Sequence, residues 1–239
     1  MVRLSKRLRT AAGMVIPGSR LADVGTDHGW VPIYLVQTGA IPSALAMDIG
    51  KGPLQRAKEH IEEYGLPDKI ECRLSDGLAA YEKGECDTVL IAGMGGELII
   101  DILTKGRDKL TAGMQLILSP HTHVELVREY IDSCGYKLMD EVCVYDEGKY
   151  YFLMDVRVIE KTPESENIGS LASEYDISHI LVEKKDPVYL EYLRAQLAKY
   201  RNILENAGLG ADRRAELEKV VSVYAEIVAG FSYNGGYSS

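Results

Sequence analysis

The sequence has no C-x-x-C pair. Its four cysteines, Cys72, Cys86, Cys134 and Cys143, are scattered along 239 residues, which suggests neither a zinc site nor a disulfide framework. Long hydrophobic runs are missing as well: stretches such as Thr88-Val-Leu-Ile-Ala92 fall far short of the roughly 20 residues needed to cross a bilayer. No signal-peptide pattern opens the chain, so a cytoplasmic protein without a membrane partner is expected. An excess of positive charge is absent too. Lys and Arg number 27 against 36 Asp and Glu, a net charge of −9, which argues against non-specific nucleic-acid binding through clustered basic residues. Internal repeats and long low-complexity tracts are also lacking.

What is present is an ordinary globular composition, 46% hydrophobic and 26% charged, with enough length for a real core. From Arg20 to about Val158, short β-rich runs alternate with helical patterns, the signature of βαβ units and a mostly parallel sheet. Strands are expected near 20–25, 43–48, 69–74, 86–92 and 114–119, and helices at 31–38, 52–64, 97–105 and 124–134. Two further strands, Tyr136 to Tyr145 and Lys149 to Val158, flank Asp146-Glu-Gly148 and read as an antiparallel hairpin. A parallel sheet closed by such a hairpin is the layout of class I, Rossmann-like methyltransferases, an α/β fold.

The polar stretch 159–170 reads as a linker, dividing the chain into an α/β domain (1–160) and a helical domain (161–239). Leu190, Leu193, Leu197, Tyr200 and Leu204 step by three and four, as do Leu217, Val221, Tyr224 and Val228 beyond Gly208-Leu-Gly210, where Asp212 is a plausible N-cap. This predicts a helical hairpin with a coiled-coil seam, ending in a disordered tail at 232–239. Two heptads per helix are too few for an oligomeric rod, and a monomer is expected.

The strongest chemical signal is Leu21-Ala-Asp23-Val-Gly25-Thr-Asp27-His28-Gly29-Trp30, a strand running through a Gly-rich turn into a helix. It is not the dinucleotide fingerprint, because Asp27 and Trp30 stand where that pattern needs glycine. The turn should present amide donors at the mouth of the sheet, and Asp27 suits a cationic ligand bearing an α-amino group and a sulfonium. Asp48, 20 to 25 residues past the turn, is placed to accept from ribose hydroxyls. Asp76 after the third strand is placed to accept from an adenine amine. Either Asp alone reads equally well as a helix cap; three acids in register at one sheet edge carry more. Ala92-Gly93-Met94-Gly95-Gly96 closes the fourth strand with backbone able to lie against a flat substrate. His121 and His123 stand near the same edge, but with no third ligand no metal is assigned.

Asp23-Val-Gly-Thr-Asp-His28, Ala46-Met-Asp48 with Gly52-Pro53, Ser75-Asp-Gly77 and Ala92-Gly-Met-Gly-Gly96, with the basic start Leu4-Ser-Lys-Arg7-Leu, resemble the TrmK family of bacterial tRNA (adenine-N1)-methyltransferases. That family modifies the adenine at tRNA position 22, and the similarity covers essentially the whole chain. Gly29 stands where the family commonly has Ala, and Ser119-Pro120-His121 where it often has Gln-Pro-Asn. The resemblance implies S-adenosylmethionine as cofactor, held by Asp23, Gly25, Thr26, Asp27, His28, Asp48, Ile49, Ser75, Asp76, Gly77, Ala92 and Gly93. Methyl transfer is expected at Asp27, Gly93, Met94 and Gly95. For tRNA, the expected contacts are Arg3, Lys6, Arg7, Arg9, Trp30, His121 and Tyr151, supported by Lys184, Lys185, Arg194, Lys199, Arg201, Arg213 and Arg214 on the helical part. Two other readings fit the residues: a class I methyltransferase acting on a small molecule or protein, and a non-catalytic RNA-binding or helical interaction module.

Overall fold

A computed structural model of the chain describes residues 1–159 and 175–232. The expected linker beyond Ile159 and the expected tail beyond Ser232 lie outside the described residues. The chain divides into two compact units, Met1–Ile177 and Ser178–Ser239. The division falls later than the 160/161 boundary read from composition. Tyr175 belongs to the first unit because Arg128 Nη1 donates to its carbonyl at 2.7 Å and its own hydroxyl donates to Asp132 Oδ2 at 2.7 Å.

The first unit is a seven-stranded sheet in the order β3-β2-β1-β4-β5-β7-β6. Its strands are β1 (Leu21–Val24), β2 (Ala44–Asp48), β3 (Ile70–Leu74), β4 (Thr88–Met94), β5 (Gln115–Pro120), β6 (Lys137–Asp146) and β7 (Lys149–Arg157). The first five pair in parallel; β7 runs antiparallel to both β5 and β6. Strands β1, β2 and β5 are buried along their whole length, as covering helices on both faces require, and this explains their mostly apolar composition. The hairpin turn is two residues, Glu147 (φ 48°) and Gly148 (φ 81°), and positive φ at both positions matches the twist of the flanking strands.

Alternate strand residues feed two cores. Leu21, Leu90, Ile117 and Leu153 pack with Ala11, Ala12, Val31, Ile33 and Ile61 from α1 (Lys6–Met14), α2 (Trp30–Gln37) and α3 (Lys51–Glu63). Val89, Ile91, Leu116, Leu118 and Met154 pack with Ile99, Leu103, Val127 and Ile131 from α4 (Gly96–Lys105) and α5 (Val124–Ser133) on the opposite face. This two-faced wrapping leaves the strand ends as the open edge of the unit.

The second unit contains α6 (His179–Glu183), α7 (Pro187–Asn206) and α8 (Ala211–Ser232). Asp186 caps α7 by accepting from Tyr189 N at 2.8 Å, with Pro187 in the first turn, where its missing N–H costs nothing. Leu193, Leu197, Leu217 and Tyr224 are buried from the expected stripes, and Tyr200 meets Tyr224 edge to face at 5.5 Å. Asp212 is not the cap of α8. It is the second residue of α8, within the first turn, where its negative charge complements the positive end of the helix dipole.

Candidate active site

Strand order reverses between β1 and β4, and sheets of this kind take ligands in the crevice beyond the strand ends at such a point. A cavity of about 230 Å³ opens there. It is walled by the turn after β1, the end of β4, residues of α1 and the loop after β5.

The β1 turn is held by its own amides. Gly25 N and Thr26 N both donate to the Met47 carbonyl, at 2.8 and 2.9 Å, and Asp27 N donates to Asp48 Oδ2 at 3.3 Å. The expectation that these amides face a ligand is therefore corrected: they stitch the end of β1 to the end of β2. What the turn presents instead is carboxylate. Asp23 is buried, which pushes its carboxyl up to about 6, partly offset by the Thr26 hydroxyl that donates to it at 2.6 Å. Asp27 takes positive φ (51°), and its side chain is 59% exposed at the cavity mouth. With the amides of Gly25, Thr26 and Asp27 consumed and two acids at hand, this edge suits a cation and disfavours a pyrophosphate.

Gly25 (φ 74°) has the terminal methyl of Met94 where a Cβ would stand. On β4, pairing with β5 shifts register between Ala92 and Met94, making Gly93 a bulged residue with φ 85° and exposed backbone. The bulge carries the strand to Met94, two residues beyond its expected end.

Among the expected site residues, Asp23, Gly25, Thr26, Asp27, His28, Ala92 and Gly93 line this cavity. So do Arg7, Trp30 and His121, with Tyr151 standing beside Arg7 and His121. Met94 and Gly95 do not: Met94 packs beneath Gly25 against the core, and Gly95 is the N-cap residue of α4. Asp48, Ile49, Ser75, Asp76 and Gly77 lie off the cavity at the neighbouring strand ends. There Ser75 N donates to the Asp48 carbonyl at 2.9 Å. Asp48 caps no helix. Its Oδ1 accepts from Gly50 N at 2.7 Å, and α3 has no side-chain cap. Asp76 is exposed, and its side chain makes no hydrogen bond to a described residue. Ser75 Oγ and Gly77 build the turn itself: the hydroxyl donates to the Gly77 carbonyl, and a Cβ on Gly77 would meet Ile102. Arg3, Lys6 and Arg9 are exposed and stand outside the cavity; Lys6 Nζ donates to the Tyr145 carbonyl at 3.3 Å.

The two histidines after β5 diverge. His121 enters the cavity, and burial, with the charges of Arg7 and Lys149 behind it, lowers its pKa below the ordinary imidazole value. His123 pairs instead with Glu125 at 3.2 Å. No cluster able to hold a metal occurs among the described residues.

Three contributors escaped the sequence reading. Arg56 reaches Asp27 Oδ1 at 3.1 Å, His60 stacks on Trp30 at 4.1 Å, and Asp146 accepts from Arg7 N at 2.9 Å. The four-residue spacing of Arg56 and His60 puts both on one face of α3, a signal that was available. The contact of Asp146 with α1 spans 139 positions and has no local signature.

Residues 4–154 match the family described as methyltransferase domain. The tRNA (adenine(22)-N(1))-methyltransferase of Bacillus subtilis (strain 168) is 36% identical over 219 residues, covering 92% of each chain. The crystal structure of the B. subtilis M1A22 tRNA methyltransferase TrmK superposes with a TM-score of 0.83 at 33% identity, over 95% of this chain and 100% of that one. Streptococcus pneumoniae Sp1610 in complex with S-adenosyl-L-methionine gives a TM-score of 0.83 at 32% identity, again over 95% and 100%. With its layout, cavity and likeness along nearly the whole length, the chain belongs to the TrmK family of tRNA (adenine(22)-N(1))-methyltransferases.

Proposed function

We propose that this protein transfers the methyl group of S-adenosylmethionine to N1 of the adenine at position 22 of tRNA, acting as a cytoplasmic monomer. The observation that carries this reading is the cavity at the β1/β4 switch point, acid-lined on one side and faced by the bare backbone of Gly93 on the other.

The residues present fit the cofactor's chemistry. Asp23 and Asp27 match a ligand end carrying an α-amino group and a sulfonium, because both are acids beside the Gly25, Thr26 and Asp27 amides, which are already used. Beside them, Asp48 would take the ribose hydroxyls, Asp76 the adenine amine, and the 67%-exposed Ile49 an apolar ring face. When bound, the cofactor supplies an electrophilic methyl on a cationic sulfur, displaced in line by the adenine N1 lone pair. N1 bears no proton before attack, so the chain needs no strong general base. Its tasks are to take the base out of its pair, align it and exclude water. The bulge at Gly93 removes any side chain from the path, and Asp27 stabilises positive charge at the mouth. Trp30 and Tyr151 supply ring faces beside the slot, and the arginines and lysines of α7 and α8 the contacts to the tRNA backbone.

The test is transfer of labelled methyl from S-adenosylmethionine to unmodified tRNA, followed by nucleoside mass spectrometry and mapping of the position. N1-methyladenosine at position 22 is the expected product. Cofactor binding without any tRNA labelling would move a protein or small-molecule substrate ahead.

A further inference from the structure

Arg7 stands apart from the other basic residues at the start of the chain. Arg3, Lys6 and Arg9 are exposed, whereas Arg7 lines the cavity, and its Nη1 is buried with no hydrogen-bond partner among the described residues. A buried charged donor left unpaired is costly, so one facing a cavity is suited to an acceptor on whatever enters. Arg7 is also fixed in place. Its backbone N–H donates to Asp146 Oδ2 at 2.9 Å, and its guanidinium lies 5.2 Å from the centre of the Tyr151 ring.

His121 faces the same gap. Its ring centre is 5.3 Å from that of Tyr151. Its Nε2 lies 3.9 Å from the point where a Cβ on Gly93 would stand, and Arg7 Nη1 lies 3.9 Å from that same point. The absence of a side chain at Gly93 keeps the gap open between them. With its pKa lowered, His121 is neutral at pH 7, so one of its ring nitrogens is an acceptor. A fixed cationic donor and a neutral acceptor therefore converge on one slot beside the bulged backbone.

Adenine offers the complementary pair along one edge, an acceptor at N7 next to a donor at its 6-amino group, where guanine offers two acceptors. We propose that Arg7 Nη1 and His121 hold the target adenine by this edge, Arg7 donating to N7 and His121 accepting from the 6-amino group, so that N1 projects toward the methyl donor. Arg7 and His121 then act as positioning and specificity residues, and Arg7 leaves the set of phosphate-gripping cations at the N-terminus. This assignment rests on the adenine-N1 reading above.

The experiment uses the full chain and tRNA carrying either adenine or 7-deazaadenine at position 22, with the parent and with Arg7→Met, which keeps an apolar stem against Tyr151. For the parent, kcat/KM should fall at least tenfold on loss of N7, the size expected for a hydrogen bond to a charged donor. Arg7→Met should lose a similar factor on adenine and show no further penalty on 7-deazaadenine. His121→Phe should keep the full 7-deaza penalty. The proposal is overturned if the parent treats the two tRNAs within twofold, a result independent of how any variant folds. It is equally overturned if the Arg7→Met and 7-deaza losses multiply, which would place Arg7 on a phosphate. If the parent makes no N1-methyladenosine on either tRNA, the adenine-N1 reading itself fails, and this assignment with it.

Discussion

Asp27 meets its cavity already paired: Arg56 Nη2 lies 3.1 Å from its Oδ1, and His28 Nε2 lies 3.5 Å from its Oδ2. A cationic ligand reaching Asp27 must compete with Arg56 for the same carboxylate. Arg56 and Asp27 are 47% and 59% exposed, so the pair itself is worth only about 0–1 kcal/mol. Arg56→Ala should therefore tighten S-adenosylmethionine by up to about fivefold, measured by isothermal titration calorimetry. Asp27→Asn should weaken it. Asn is the appropriate variant because it tolerates the positive φ at this position, where Ala would add backbone strain. Weakened binding in both variants would mean that Arg56 orients Asp27 and does not compete with the ligand.

The contact between Gly25 and Met94 gives a second expectation. Gly25→Ala introduces a Cβ at φ 74°, against the terminal methyl of Met94. The conformational term alone should cost about 1–2 kcal/mol. The steric term should be relieved in part by Met94→Ala, whose side chain is flexible and only partly buried. Chemical denaturation of the two single variants and the double variant checks this. The double variant should be more stable than the sum of the single losses implies, and strict additivity would show that the two residues do not press on one another.

Much of this was legible in the sequence because the signals were local. The strands β1, β2 and β5 are mostly apolar runs buried on both faces, and Asp146-Glu-Gly148 carries the residues a tight hairpin turn demands. The Asp23 to Trp30 turn, which lines the cavity, was readable as the mouth of the sheet for the same reason. Its amides were not, since what they bond to, the Met47 carbonyl and the Asp48 carboxylate, sits on the next strand. Met94 was misplaced because a run of glycines does not reveal which residue is the bulge; Gly93 takes that role, and Met94 turns under the sheet edge. Arg7 looked like one more surface cation. Only the long-range contacts of α1 with Asp146 and Tyr151 turn it inward.

Arg128 likewise sits in a helix that reads as amphipathic, yet it is buried against Glu141, with side-chain exposures of 7% and 0% and Nη2 to Oε1 at 2.7 Å. Removing one partner of such a buried pair takes the counter-charge from the other, which typically costs about 3–5 kcal/mol. Arg128→Leu should lose stability on that order in urea, while Arg128→Leu with Glu141→Leu should recover a large part of it. A single variant as stable as the parent would mean that water reaches Glu141 once the arginine is gone.

Asp23 provides the pH test. Burial raises its carboxyl from 3.8 to about 6, so between those values the folded chain holds a proton that the unfolded chain has released. Stability from this group is therefore greatest at low pH, falls as pH rises through that window, and stays reduced above it, by on the order of 3 kcal/mol at most. Asp23→Asn removes the ionisation while keeping an oxygen to accept from the Thr26 hydroxyl. The variant should unfold at a higher temperature than the parent at pH 7.5, with the gap closing toward pH 4, and it should bind S-adenosylmethionine more weakly. The parent's own affinity should drop as pH falls below about 6, because a protonated Asp23 no longer complements a cation. A variant less stable than the parent at pH 7.5 would show that the ionised carboxylate is compensated in the folded chain, and that Asp23 is placed there for stability and not for the ligand.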